Sequence, residues 1–222
     1  MKSYCMNGAI LLSLVIVGAY LVGAIPFGWI IARARGVDIL RVGSGNIGAT
    51  NVARMVGMGW GVLVFLLDFA KGAVPVLLVG QLDPPTDIEM PPHGVEVMAG
   101  VAAFLGHLFP IYLGFRGGKG VATGAGVAVA LVPIITLIAL ATWGLTLALT
   151  RYVSIASIFA GALVFVLRVA FTPRPWGYEE VVITFFCLFG STLVALRHAT
   201  NIRRLFAGIE PRIGSPDPEV DP

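Results

Sequence analysis

Residues 120–150 read GVATGAGVAVALVPIITLIALATWGLTLALT, without one charged side chain. About 20 apolar residues span a hydrocarbon core roughly 30 Å thick as helix, so this stretch is long for one crossing and short for two. Pro133, near its middle, lacks the N–H that a helix interior needs, which favours two short or tilted helices. The flanking charges give an independent test of parity. Arg116 and Lys119 precede the run and Arg151 follows it. Basic residues collect in cytoplasmic connections, so both ends are placed inside and the chain crosses an even number of times between them.

Working outward, further apolar segments fall at about 8–32, 56–80, 94–113, 153–172 and 179–196. The connection at 33–54 carries Arg33, Arg35, Arg41 and Arg54, whereas 81–93 carries Asp83, Asp87 and Glu89 with neither Lys nor Arg. The first is therefore placed in the cytoplasm and the second outside; the cluster Arg197, Arg203, Arg204 puts the last end inside as well. The expectation is an all-α polytopic bundle of about seven transmembrane helices, N-terminus outside and C-terminus cytoplasmic, forming one domain over residues 1–210. Arg168 and Arg174, on the outer side, stand against this scheme. Residues 211–222, rich in proline and acid, have nothing to bury and are expected to be disordered. No internal repeat is evident, which weakens an inverted-repeat transporter reading.

Composition agrees with a lipid solvent. Of 222 residues, 57% are hydrophobic and 12% charged, against roughly 45–50% apolar and about 25% charged in soluble domains. The net charge of +3 contains no basic run suited to nucleic acid. Cys5 and Cys187 have no second cysteine or histidine at metal-ligand spacing, so neither a disulfide framework nor a zinc site is indicated. Lys2 and the following apolar run imitate a signal peptide, but the run continues to about Ile31, beyond the 7–15 apolar residues of a cleaved signal. It reads as a retained first span.

Three polar islands interrupt the apolar chain: GSGNIGATNVAR at 43–54, GHLFPIYLGFRGGKGVAT at 106–123 and RHATNIRRLFAGIE at 197–210. Glycine, asparagine and hydroxyl groups beside Arg or Lys are the composition that wraps N–H groups and fixed cations around phosphate. The first island matches the dinucleotide fingerprint G-x-G-x-x-G, with Asp68 about 20 residues further on. However, no strand precedes it and Asp68 lies in a membrane run. It reads better as a glycine-permitted loop bringing Ser44, Asn46, Thr50, Asn51 and Arg54 around one anion. In the second, Gly114, Arg116, Gly117, Gly118, Lys119 and Gly120 resemble a phosphate loop without being a Walker A. A helix from about Gly120 would aim free N–H groups and a positive dipole end at phosphate.

His198 and Asn201, three apart, share a helical face if the last span extends through them, with Arg204 and Glu210 close in sequence. Taken alone, such basic residues serve equally well as interfacial anchors. Asp68 and Lys71, each costing roughly 2.5–3.5 kcal/mol at a span centre, are read as neutralising each other in a structural role. His107 fits a core histidine or a site residue equally, and His93 is idle in the outer loop. No His is followed five positions later by Asp, so the acid–base pair of many glycerolipid acyltransferases is absent.

In order, spacing and intervening apolar spans, the three islands closely resemble the three motifs of the bacterial membrane acyl-phosphate:glycerol-3-phosphate acyltransferase family. The resemblance covers the chain except its tail. It implies transfer of a fatty acyl group from acyl phosphate to the sn-1 hydroxyl of glycerol 3-phosphate. The products are lysophosphatidic acid and phosphate, as the first step of phospholipid synthesis, with neither acyl-CoA nor acyl carrier protein as donor and no metal or other cofactor. It places the protein in the bacterial cytoplasmic membrane with its site facing the cytoplasm, where lipids and the enzyme that makes acyl phosphate are its expected partners. By resemblance, Ser44 and Arg54 are essential, the glycines of the second motif and Lys119 bind the glycerol 3-phosphate phosphate, and His198 and Asn201 serve catalysis. Glu210 is structural, and Arg116 stands where Lys is equally expected.

Physical chemistry points the same way. Two phosphates, each with up to about two negative charges, face a supply of Arg41, Arg54, Arg116, Lys119, Arg197, Arg203 and Arg204. An acyl phosphate is a mixed anhydride whose leaving group is already a stable anion, so positioning and charge stabilisation can carry most of the barrier. Direct attack by the glycerol hydroxyl is expected, with His198 or the substrate's own phosphate taking the proton. An acyl-Ser44 intermediate is less favoured, since no base is evident beside it. Two other classes compete: a transporter for a small phosphorylated anion, and a metal-dependent transferase using a nucleotide-lipid donor, for which the islands lack clustered carboxylates.

Overall fold

The computed structural model describes residues 7–83 and 85–214, and among them every regular element is a helix. Lys2, Cys5 and residues 215–222 lie outside the described residues. The α-helices run in the order α1 (Gly8–Ala24), α2 (Phe27–Ala34), α3 (Ala49–Met55), α4 (Met58–Val79), α5 (Gly94–Leu108), α6 (Val121–Leu131), α7 (Pro133–Thr150), α8 (Val153–Phe171), α9 (Val181–Arg197) and α10 (Ala199–Phe206). Five segments are long and apolar enough to cross a membrane: Gly8–Ala34, Met58–Val79, Gly94–Leu113, Pro133–Thr150 and Val153–Phe171. α9 with α10, bent by 52°, makes a sixth. The protein is a multi-pass integral membrane bundle.

The 120–150 stretch divides where its proline predicts. α6 ends at Leu131 and α7 begins with Pro133 in its first turn, where a missing N–H costs nothing. α6 has 11 residues, about 17 Å of helix, about half of what spans a hydrocarbon core.

Small residues let the helices approach closely, as lipid-exposed bundles require. A Cβ on Gly23 would run into the backbone of Ala103, joining α1 to α5, and one on Gly126 would meet Phe69 O, joining α6 to α4. A buried core of Val76, Val97, Val127, Ile183 and Phe186 ties α4, α5, α6 and α9 together.

The charges inside the bundle are matched. Lys71 pairs with Asp68 at 2.7 Å and also donates to Ile25 O at 2.7 Å. That carbonyl sits at the α1–α2 break beside Pro26, so the pair neutralises itself and mends the break. Arg168, which stood against the topology, is buried but bonded to Glu180 and to Thr184 Oγ1.

The two ends of the bundle differ. At one, Asp87 of the acidic loop accepts hydrogen bonds from Gly8 N at 3.0 and 3.1 Å, an anion at a helix N-terminus. At the other, Asn46 reaches Gly117 O and Lys119 reaches Asn201, so all three islands converge.

Candidate active site

The three islands line one cavity of about 680 Å³, within the usual range of about 300–1,000 Å³ for a small-molecule site. Ser44, Asn46, Thr50, Asn51 and Arg54 come from the first island, Lys119 and Gly120 from the second, and His198, Asn201, Arg204 and Glu210 from the third. Arg54, Lys119 and Arg204 thus face one space, where phosphate would meet three cations.

A chain of hydrogen bonds fixes the polar wall. Lys119 Nζ donates to Asn201 Oδ1 at 2.6 Å, and Asn201 Nδ2 donates to Glu210 Oε1 at 2.6 Å. Ser154 Oγ and Arg204 Nε donate to the same carboxylate at 2.9 and 2.8 Å. Burial would raise the Glu210 pKa, but the hydrogen bonds from Asn201, Arg204 and Ser154 outweigh it and hold the carboxyl below its ordinary value. Glu210 is thus linked through Asn201 to Lys119. Ser154, in the first turn of α8, belongs to this network too. Lys119 precedes α6 and Ser154 follows α7, so that helical pair leaves from and returns to one end of the bundle.

Burial pushes the Lys119 ammonium down to about 8; Glu210 opposes the shift, while the Arg204, Arg54 and Arg197 charges add to it. The amine is protonated below that value and loses its charge above it. If Lys119 grips the substrate phosphate, kcat/KM for glycerol 3-phosphate falls as pH rises through about 8. In Lys119→Arg, which stays charged, that limb disappears. A limb unchanged in the Arg variant would assign it to another group.

The first island is built around Asn51, 3% exposed. Its Nδ2 donates to the carbonyls of Ile39, Val42 and Asn46, and its Oδ1 accepts from Ser44 N at 3.0 Å. Although it lines the cavity, both ends of its amide are engaged with backbone, so it holds Ser44 in place. Asn46 Oδ1 likewise accepts from Gly48 N at 2.8 Å. Ser44 and Thr50 remain exposed to the cavity.

The second island departs from the expected phosphate cradle. Gly114, Arg116, Gly117 and Gly118 stand outside the cavity wall. Gly118 N donates to His107 O at 3.1 Å. The carbonyls of Gly117 and Gly118 accept from Arg197 at 2.9–3.1 Å. A Cβ at Gly117 would strike the carbonyls of His107 and Leu108, and one at Gly118 would strike the His107 ring. These glycines allow close approach to His107 and Leu108, and Arg116 is exposed. Of this island, His107, Lys119, Gly120 and the first turn of α6 line the cavity; Gly120, at φ +84, sets that turn.

Of the seven cations counted from sequence, Arg197 is spent on the glycine loop, Arg41 pairs with Asp38 at 3.2 Å, and Arg203 is exposed off the cavity wall. His198, 2% exposed, is the hinge between α9 and α10. Its Nδ1 lies 2.7 Å from Val194 O. A carbonyl only accepts, so Nδ1 carries the proton and Nε2 is left as an acceptor. Asp68 and His107 also line the cavity, with His107 Nδ1 3.6 Å from Asp68 Oδ1.

A narrow apolar cavity of about 80 Å³ adjoins the polar one. Phe65, Val121, Trp143 and Ser157 line both. Trp143, Ser154 and Ser157 carried no sequence signal, being single polar side chains inside apolar runs. Beyond Glu210, Ile213 N donates to Arg151 O at 2.8 Å and the Arg151 guanidinium donates to Ile213 O at 2.9 Å, and Pro211, Ile213 and Gly214 border the polar cavity. Residues 211–214 therefore pack beside the site.

Residues 13–208 match the family model described as glycerol-3-phosphate acyltransferase. The glycerol-3-phosphate acyltransferases of Anaeromyxobacter dehalogenans strain 2CP-C and Aquifex aeolicus strain VF5 are 41% and 42% identical to this chain. Those matches cover 94% and 89% of this chain, and 100% and 96% of theirs. Two crystal structures of PlsY (YgiH), an integral membrane glycerol 3-phosphate acyltransferase, are also similar. Its glycerol 3-phosphate form and its lysophosphatidic acid form give TM-scores of 0.81 and 0.78, each at 41% identity and covering 92% of this chain and 96% of theirs.

Proposed function

Because this chain belongs to the glycerol-3-phosphate acyltransferase family, we propose that it moves a fatty acyl group from acyl phosphate to the sn-1 hydroxyl of glycerol 3-phosphate. The products are lysophosphatidic acid and inorganic phosphate. The observation that carries this reading is the continuity of a three-cation cavity with an apolar one. A donor with an anionic head joined directly to an alkyl chain fits that junction.

Glycerol 3-phosphate enters the polar cavity from the cytoplasm, and Lys119, Arg54 and Arg204 hold the two phosphates. The acyl chain enters sideways between helices. Ser44 orients a substrate hydroxyl or phosphate. The sn-1 oxygen attacks the acyl carbonyl carbon while His198 Nε2 or the substrate's own phosphate takes its proton. The bond from that carbon to the phosphate oxygen then breaks, and phosphate leaves with the electron pair. The leaving group needs no protonation, so the enzyme's contribution is orientation and charge stabilisation. The site faces the cytoplasmic side of the bacterial inner membrane, with α6 as a short seventh crossing.

Metal-free turnover with palmitoyl phosphate is expected to release inorganic phosphate and 1-acyl lysophosphatidic acid in a one-to-one ratio. Phosphate without lipid product, or a 2-acyl product, would contradict the assignment.

A further inference from the structure

We infer that the Ser157 hydroxyl, held by Trp143, is a catalytic hydrogen-bond donor to the acyl carbonyl oxygen at the throat between the two cavities. The inference rests on the acyl transfer proposed above and adds to it a residue outside all three islands.

α8 lays out the path along one face. Ser154 bonds to Glu210 in the polar cavity, Ser157 lies on both cavities, and Ala160, Gly161 and Val164 line the apolar one. Three residues of helix advance about 4.5 Å, so Ser157 sits one step deeper than the network that aligns Lys119. A donor with its phosphate among the cations and the first carbons of its alkyl chain in the apolar cavity brings its carbonyl to this level.

The hydroxyl at that level departs from a common helical pattern, as the buried Thr123 hydroxyl on α6 also does. Helical Ser and Thr side chains commonly bond back to the carbonyl four residues earlier. Ser13, Thr136, Thr142, Thr150 and Thr192 do so here at 2.7–2.9 Å. Ser157 does not. Its Oγ accepts from Trp143 Nε1 at 3.1 Å, and its own proton has no acceptor among the described residues. At 2% exposure an unused donor is costly, and here it costs least once a carbonyl oxygen arrives. With the oxygen's acceptor side taken by Trp143, the remaining proton is directed away from the indole.

In the step itself, the glycerol oxygen forms a bond to the acyl carbon and the C=O electron pair moves onto oxygen. That oxyanion accepts the Ser157 O–H···O hydrogen bond. The pair returns as the C–O(phosphate) bond breaks, and phosphate departs with the bonding electrons. The proton of the attacking hydroxyl goes to His198 or the substrate's own phosphate, while Ser157 keeps its own proton throughout. Trp143 is a positioning residue that acts only through Ser157.

The test compares wild type, Ser157→Ala, Ser157→Thr and Trp143→Phe as full-length protein in lipid, with palmitoyl phosphate and with palmitoyl-CoA. Ser157→Ala is expected to lower kcat on the order of 10²-fold, the usual loss of one oxyanion donor, with KM for glycerol 3-phosphate unchanged. Ser157→Thr restores most of kcat, and Trp143→Phe lowers it without moving that KM. An unaltered kcat in Ser157→Ala overturns the inference. So does a loss that Thr does not rescue, or one accompanied by a raised KM and a lowered melting temperature. If wild type uses only palmitoyl-CoA, the donor reading fails, while the ratio of Ser157→Ala to wild type on that thioester still decides the role of Ser157.

Discussion

Lys119→Ala is expected to raise the KM for glycerol 3-phosphate about 10- to 100-fold while leaving kcat much less affected. Lys119 lines the cavity beside Arg54 and Arg204 and is held at 2.6 Å by Asn201. A hydrogen bond to a charged group contributes roughly 1.5–3 kcal/mol, and about 1.4 kcal/mol is tenfold in affinity. Removal acts on substrate and transition state alike if the ammonium grips a phosphate that does not react, which is why KM moves. Lys119→Arg preserves charge but not the point geometry of the ammonium, and should fall between Ala and wild type. Steady-state kinetics at fixed acyl phosphate reads the outcome. A fall in kcat at constant KM would instead place Lys119 at the leaving phosphate.

Glu210→Ala should be more damaging still, although Glu210 is not proposed to touch a reacting atom. Its carboxylate accepts from Ser154, Asn201 and Arg204 at once, and its side chain is 6% exposed. Removing it leaves Arg204 without its partner and frees Asn201 to rotate away from Lys119. Breaking a buried charge arrangement from one side costs about 3 kcal/mol or more. The expected result is a lowered melting temperature together with a loss of kcat/KM above about 100-fold. Glu210→Gln, which keeps the shape but drops the charge, should recover stability in part. Activity within twofold of wild type in Glu210→Ala would remove the network from the account.

Much of this architecture is legible in the chain because membrane helices announce themselves by length and polarity. The segments at 94–113 and 153–172 correspond to Gly94–Leu113 and Val153–Phe171. Pro133 marks the break between α6 and α7 because a missing N–H is a local property. Convergence of the islands also follows from local chemistry, since polar and cationic loops at one end of a bundle have one another as neighbours.

What sequence cannot convey is which backbone atom a side chain will meet. Nothing in the sequence shows that His107 lies against the glycines at 117 and 118, or that their two carbonyls accept from Arg197. Asn51 looks like a ligand and is a loop clamp. Ser154, Ser157 and Trp143 are invisible because single polar groups in apolar runs are usually satisfied within their own helix. Their significance appears only when α7 and α8 are placed against the cavity.

The most direct test of the account is turnover by the purified protein in lipid vesicles and metal-free buffer, with labelled glycerol 3-phosphate and either palmitoyl phosphate or palmitoyl-CoA. The account predicts lysophosphatidic acid from palmitoyl phosphate alone. No lipid product from either donor, with labelled glycerol 3-phosphate accumulating inside the vesicles, would contradict it and make the cavity a transport site.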